Sequence, residues 1–283
     1  MVEESFGDFS GGFPDASILK RFQNLVLDYY RREGRDLPWR RTESPYAVLV
    51  SELMLQQTQV PRVEAKWEVF MERFPDFSSL AAASLKDVLE VWQGLGYNRR
   101  ARALKSIAEA MVSSGKPFPA TVKELEALPM IGPATARSIA VYAFNRAELF
   151  IETNVRRVFI HFFFSGRLEV RDEEILPLHE KALYRPDPRR WYNALMDYGT
   201  LLARETGNAN RRSTSYSRQK PFEGSFRQLR GAVLRELGKH PRAFPEDLEI
   251  PSGFSPADLE KCLAVLAREG FLVGEKDGSY RLT

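Results

Sequence analysis

Two places in this 283-residue chain put reactive groups where structure alone does not ask for them. Glu52 is the only charge within Tyr46–Leu55, a run otherwise patterned as a buried helix. A carboxyl group there is costly unless it is paired or used. Desolvation would raise its pKa towards the range of an acid catalyst; the structural alternative is an ion pair with Arg40. The second place is Leu128-Pro129-Met130-Ile131-Gly132-Pro133, which joins two helical stretches, Thr121–Ala127 and Ala134–Phe144. Gly132-Pro133 leads straight into the second helix, so its first N–H groups point outward. Such a terminus holds a phosphate without reading sequence, although an ordinary helix connection has the same signature.

Charge is more informative in its distribution than in its sum. The net charge is +3, but Arg204–Arg242 carries ten Lys/Arg against three Asp/Glu, and Arg99, Arg100, Arg102 and Lys105 form a second cluster. Basic clusters suit a polyanion, or are simply solvated faces. Cys262 is the only cysteine, which excludes an internal disulfide and an all-cysteine zinc or iron–sulfur site within one chain. His161, His179 and His240 lack metal-ligand spacing and read as ordinary core or surface residues, so no metal site is expected. No apolar run approaches the roughly 20 residues of a membrane helix. Met1–Pro14 has no apolar core of a secretory signal, and a cytoplasmic monomer with no membrane partner is expected.

The elements that must position these groups are helical nearly throughout. Apolar spacing gives a helix through Ile18–Tyr30 ended by Gly34, one opening at Ser44-Pro45, and others over Val63–Phe74, Leu80–Ala83, Val88–Trp92 and Ala101–Val112. Thr153 is placed as the cap of a helix carrying Val155, Val158 and Phe159; helices near Glu174–Leu183 and Trp191–Ala203 follow. Gly207–Lys220 reads as a basic irregular loop. Beyond it come helices Phe226–Leu237 and Pro256–Glu269, then strand-like Phe271–Val273 and Tyr280–Leu282 around Asp277-Gly278, a hairpin signal. Helices followed by a hairpin suggest a winged-helix-like α+β module.

Five ordered motifs then resemble one family: Leu37-Pro38-Trp39-Arg40, Ser51–Val60 (SELMLQQTQV), Gly94-Leu95-Gly96-Tyr97, Leu128-Pro129-x-Ile131-Gly132 and Asn154-Val155-x-Arg157-Val158. Over about residues 20–205 the chain is similar to the helix–hairpin–helix superfamily of base-excision DNA glycosylases, nearest to the adenine DNA glycosylases. The resemblance implies a mainly α, two-lobed fold: residues 1–220 as the glycosylase domain, with 1–35 plus 152–220 as one lobe and 36–151, hairpin 121–144 included, as the other. Residues 221–283 form the small C-terminal module. It implies double-stranded DNA with a damaged or mispaired base as partner, and a purine flipped from the duplex as substrate. An acid must protonate the leaving base and a carboxylate must balance the oxocarbenium-like sugar. The family positions are Glu52 for the acid, Glu152 for the second carboxylate and Asn154 as its hydrogen-bonding support. Arg40 and Leu55 would line the base pocket, Gln57 and Tyr97 wedge into the base stack, and Thr58 approach the opposite strand. Ile131, Gly132, Ala134 and Thr135, with Arg211 and Arg212, would hold the DNA backbone, and a monovalent cation is implied at the hairpin.

Four departures matter. Glu152 stands where the family has Asp, adding a methylene. Ala134 replaces the lysine that marks lyase members, so a monofunctional enzyme is expected. Ala203, Asn210, Ser213 and Gln219 occupy the family's C-x6-C-x2-C-x5-C positions, so no iron–sulfur cluster is expected; side-chain hydrogen bonds and packing on the C-terminal module would hold Asn210–Lys220 instead. Met130 replaces a usual Gly. The expected substrate is adenine opposite 8-oxoguanine or guanine. Alternatives are another lesion such as hypoxanthine, a catalytically impaired damage-binding protein, or, from residues 221–283 alone, a transcription regulator.

Overall fold

A computed structural model describes residues 5–9, 11–219 and 221–283. Among these the backbone makes two compact units: residues 5–43, 120–126 and 131–218 in the first, and 44–119, 127–130 and 219–283 in the second. The expected lobes drew the line elsewhere. Here both hairpin helices lie with the first unit while the turn 127–130 between them lies with the second, and residues from 219 onward join the second unit instead of standing apart.

The first unit holds α1 (Ala16–Glu33), α7 (Val122–Glu126), α8 (Pro133–Phe144), α9 (Thr153–Phe163), α10 (Asp172–Ala182) and α11 (Pro188–Glu205). Asp15 caps α1 by accepting from the Ser17 and Ile18 N–H groups, and Gly34 ends it. α9 crosses α11, which also packs on α1. Phe22, Phe159, Phe162, Phe163 and Trp191 fill the centre, with Phe22 edge-on to the other four. The N-terminal segment runs along the end of α9, Phe6 and Phe9 donating backbone bonds to Phe162 and Phe163. The cap of α9 differs from expectation: Glu152 is its N-cap and Thr153 its first helical residue, with no side-chain capping bond.

Where α9 and α11 cross, a Cβ built on Gly199 would lie 2.6 Å from Asn154 Cβ and 2.8 Å from its carbonyl oxygen, so only glycine permits the approach. His179 is fully buried between Phe159 and Tyr192, and neither ring nitrogen has a protein partner. Burial pulls it down to about 3.

The loop after α11 contains a 3-10 turn, Ala209–Arg212. Arg212 threads inward and donates to the Ile160, Phe164 and Arg167 carbonyls, at 3.2, 2.6 and 3.4 Å. Buried Asn210 donates to the Thr153 carbonyl, and Val170 pairs with the loop through bonds to Arg212 and Thr214. Side-chain hydrogen bonds, one of the two means expected, thus tie this loop to α9 and the segment after it, and Arg212, expected at the DNA backbone, is instead spent on backbone carbonyls. Lys220 lies outside the described residues.

The second unit holds α2 (Pro45–Leu55), α3 (Val60–Arg73), α4 (Phe77–Ala82), α5 (Leu85–Trp92) and α6 (Arg99–Ser114), then α12 (Phe226–Lys239), α13 (Pro256–Arg268) and the hairpin of β1 (Leu272–Gly274) and β2 (Tyr280–Leu282). Ser44 caps α2 and Pro45 opens it, as the sequence indicates. The strands pair Leu272 with Leu282 and Gly274 with Tyr280, and Ala243 bridges to Tyr280. α12 packs on α5, and α13 on α12. Cys262 is buried on α13, where burial raises its thiol to about 11. Among the described residues no helix is long and apolar enough to cross a membrane, and no cluster of His, Cys, Asp or Glu is disposed to hold a metal.

Two stability outcomes follow. Gly199→Ala gains about 1 kcal/mol of helix propensity but forces a clash against backbone worth about 1–3 kcal/mol. We expect a net loss in urea denaturation; a stabilised variant would show that α9 moves freely away. His179 has a depressed native pKa, so its contribution is present above its unfolded pKa and is lost as pH falls towards the native value. Between pH 7 and 5 that loss is about 2 kcal/mol. His179→Leu should flatten the decline in that window, and an unchanged pH slope would contradict it.

Candidate active site

In α2 every residue from Tyr46 to Met54 is buried except Glu52, which is half-buried, and Leu55 shares its face one turn on. The one carboxyl group of α2 thus sits on a helix that is otherwise almost wholly packed away from solvent. The C-terminal end of α2 is held by Arg100, a residue of the basic cluster that the sequence leaves open between a polyanion partner and a solvated face. Its guanidinium is buried and donates to the Leu53, Met54, Gln56, Leu95 and Gly96 carbonyls, at 2.5–3.1 Å. It also donates to Thr58 Oγ1 at 3.0 Å, and that hydroxyl donates to the Leu95 carbonyl at 3.3 Å. Burial lowers Arg100 to about 10. Thr58 is thereby an internal tie, with its hydroxyl engaged inside the protein.

Arg100 joins two turns that share an uncommon backbone. Gln57 has φ +54° and Tyr97 φ +48°, the left-handed region that costs a non-glycine residue about 1–2 kcal/mol. Met130 in the hairpin turn has φ +63°. The change from glycine therefore leaves this backbone left-handed, with the Met side chain exposed. Such strain persists only where surrounding contacts over-determine it, and it gathers at functional turns. Gln57 is exposed and Tyr97 half-buried. The rest of the basic cluster is committed internally as well: Arg99 pairs with Glu269, Arg102 lies over the Phe271 ring, and Lys105 donates to the Ala81 carbonyl.

At the hairpin Gly132, Pro133 and Ala134 are exposed at the start of α8, while Ile131 is buried and anchors the turn. Gly132 is the N-cap with no side-chain bond over the first turn. Thr135 is half-buried on the same turn. Ala134 places a methyl group, with no amine, at the position of a lyase lysine.

In the first unit, Glu152 ends an extended segment fixed by Tyr192. The Phe150 and Tyr192 rings stack at 4.1 Å and 9°, Phe150 N–H donates to the Tyr192 hydroxyl, and that hydroxyl donates to the Glu148 carbonyl. Glu152 keeps an exposed surface, yet burial pushes its carboxyl above the ordinary range, with Arg156 opposing. The open surface limits the size of that rise. Arg156 is itself bidentate to Asp172 at 2.6–2.7 Å. Asn154 does not bond to Glu152: its oxygen accepts from Arg157 at 2.5 Å and its amide faces the Met196 sulfur at 3.8 Å. Arg157 continues to the Gly199 carbonyl at 2.8 Å, so Asn154 locks the first turn of α9 onto α11.

Arg40 is likewise redirected. It is bidentate to Asp197 at 2.8–2.9 Å, donates to the Arg35 carbonyl at 3.0 Å, and leaves no fork for a base. Arg35 adds two bonds to the same carboxylate. Burial alone would raise Asp197, but Arg40 and Arg35 hold it below its ordinary value. Asp197 and Arg100, both central to the geometry, were not singled out as site residues. Their signals were faint: an acid within the apolar stripe of a helix, and an arginine four residues after the second glycine of a Gly-x-Gly turn.

The four positions of the family's cluster, Ala203, Asn210, Ser213 and Gln219, offer no thiolate, and buried Asn210 is turned to a backbone carbonyl. These residues do not fit a cysteine-held cluster. Arg211 is exposed beside them.

Comparison with known proteins fits this geometry. Residues 50–178 match the family described as the HhH-GPD superfamily base excision DNA repair protein. An adenine DNA glycosylase of Mycolicibacterium smegmatis is 33% identical over 91% of this chain and 94% of its own length. The human adenine DNA glycosylase is 40% identical over 52% of this chain and 29% of its own. In fold, a thermostable thymine-DNA glycosylase superposes with a TM-score of 0.57 at 23% identity, covering 66% of this chain and 89% of that one. A trapped endonuclease III–DNA intermediate does so at 0.55 and 16%, covering 67% and 88%. With a buried helix that exposes one carboxyl group and a hairpin that exposes a helix N-terminus, the chain belongs to the HhH-GPD superfamily of base excision DNA repair proteins, in its adenine DNA glycosylase family, and is a DNA N-glycosylase.

Proposed function

We propose that this enzyme removes adenine mispaired with 8-oxoguanine or guanine from double-stranded DNA as a monomer, leaving an abasic site without cutting the strand. The observation that carries the reaction is Glu52, the one charged residue of α2 and the only member of Tyr46–Met54 left accessible. The carboxyl proton of Glu52 passes to the flipped base as the bond to the sugar breaks. The Glu152 carboxylate balances the positive charge that develops on the sugar, and water adds to that carbon, its proton returning to the Glu52 carboxylate. The backbone N–H groups of exposed Gly132 and Ala134, on either side of Pro133, draw a phosphate to the hairpin without reading sequence. The left-handed turn at Met130 suits a monovalent cation held by main-chain carbonyls, which would attract the same phosphate. Adenine is supported by mycobacterial relatives known as adenine DNA glycosylases, which align with 91% of this chain. The absence of strand cutting rests on Ala134, whose side chain cannot form a Schiff base.

One observation favours a second reading, a damage-binding protein with impaired catalysis. Burial biases Glu152 towards its neutral form, and a neutral carboxyl group does not stabilise a sugar cation.

Single-turnover base release from duplexes with adenine opposite 8-oxoguanine separates the two. Glu52→Gln should lose about 100- to 10,000-fold of the rate, with lesion binding retained. The Glu152 sign is definite. Its charged form does the work, so the rate should fall as pH drops through a pKa above that of an ordinary glutamate. Glu152→Gln should remove that acidic limb together with most of the rate. Tight lesion binding with no release at any pH would support the second reading.

A further inference from the structure

The side chain of Tyr97 is engaged by the C-terminal module. Its hydroxyl accepts from Arg227 Nη1 at 2.6 Å and from Gln219 Nε2. The Arg227 guanidinium lies 5.5 Å from the ring centroid and that of Arg100 lies 5.3 Å from it. The second Arg227 nitrogen donates to the Pro221 carbonyl at 3.3 Å, which orients the fork. The module is also pinned to the helix that starts just after Tyr97. Arg99 of α6 and Arg230 of α12 converge on Glu269. Arg102 and Arg230 lie over the Phe271 ring. Burial would raise the Glu269 carboxyl, but the two arginines hold it at about 2, so the pin stays charged at neutral pH. All of these residues lie within the second unit.

We infer that Arg227, assisted by Gln219, is a positioning residue for Tyr97: the C-terminal module braces the ring in the orientation in which it enters the base stack. The inference rests on the reading of Tyr97 as the wedge. An unbraced tyrosine on a Gly-rich turn samples several rotamers, and each must be given up when DNA binds. A ring held by a forked donor at its hydroxyl and by cations at its face has lost that freedom beforehand. Arg100 fixes the backbone of the same turn, and Arg227 fixes the side chain.

The test is a double-mutant cycle on the full chain: wild type, Arg227→Ala, Tyr97→Leu and both together, with Arg227→Lys as the conservative variant. The probe is 2-aminopurine beside the target adenine, whose fluorescence rises when the base leaves the stack, read together with single-turnover release and duplex Kd. Thermal unfolding checks that each variant is folded. Arg227→Ala should slow the fluorescence rise about tenfold with little change in Kd. Arg227→Lys should recover part of that loss. In the Tyr97→Leu background, Arg227→Ala should add less than about twofold. An equal effect in both backgrounds would overturn the brace and make Arg227 a phosphate contact. A faster rise in Arg227→Ala would also overturn it, because the module would then be withholding the ring. If Tyr97→Leu is slow but Arg227→Ala is normal, the brace alone fails. If Tyr97→Leu behaves as wild type, the wedge reading fails with it. The fluorescence reports flipping even from a protein that releases no base, so failure of catalysis is seen separately.

Discussion

The arrangement of the second unit depends on one buried guanidinium. Arg100 meets carbonyls at the C-terminal end of α2, where backbone acceptors lack helical partners and the helix dipole is negative. It spans from there to the carbonyls of the 94–97 turn. A planar fork with five donors can serve acceptors from two segments at once, which a lysine ammonium cannot do in one plane. Burying the charge is unfavourable, as the lowered Arg100 pKa records, and the ring of carbonyls offsets it. The consequence is mechanical. The helix that carries Glu52 and the turn that carries Tyr97 are tied to one cation, which also bonds the neighbours of the left-handed residues, Gln56 and Thr58 beside Gln57 and Gly96 beside Tyr97.

The first unit solves the parallel problem for Glu152 with different chemistry. Here a flat aromatic stack, a hydroxyl with two backbone partners and a glycine crossing set the path of residues 148–154. Asn154 reaches through Arg157 to the Gly199 carbonyl, so its value lies in fixing the start of α9. A glutamate at the N-cap sits where the helix dipole favours its charge, while burial favours its neutral form. The two effects oppose each other at the carboxylate whose ionisation the reaction needs.

Helices, motif order and several helix ends, though not the cap of α9, were legible in the sequence because each rests on local chemistry. Ser44-Pro45 starts α2, Gly34 ends α1, and Asp277-Gly278 turns the hairpin. The fates of individual arginines were not legible. Arg99, Arg100, Arg102 and Arg212 read as charge open to a polyanion or solvent, and Arg40 as lining a base pocket; all five are engaged by partners distant in sequence. Sequence supplies the number of donors but not the carbonyls they will meet. The same limit explains Asp197: an acid within the apolar stripe of a helix looks like an interruption until two arginines converge on it.

The loop after α11 shows how the fold can be held without thiolates. Relatives with four cysteines would gather distant backbone around a cluster. Here one guanidinium gathers the Ile160, Phe164 and Arg167 carbonyls, Asn210 reaches Thr153 at the start of α9, and a short bridge pairs the loop with Val170. These bonds connect the loop to both ends of the helix that follows Glu152. The tie is stronger than its separate hydrogen bonds suggest, because removing the arginine would leave several buried carbonyls unsatisfied together. It is also indifferent to oxidation, since no sulfur takes part. What the loop gives up is positive charge for DNA: one of its two adjacent arginines is turned inward, and Arg211 alone of that pair keeps an exposed surface.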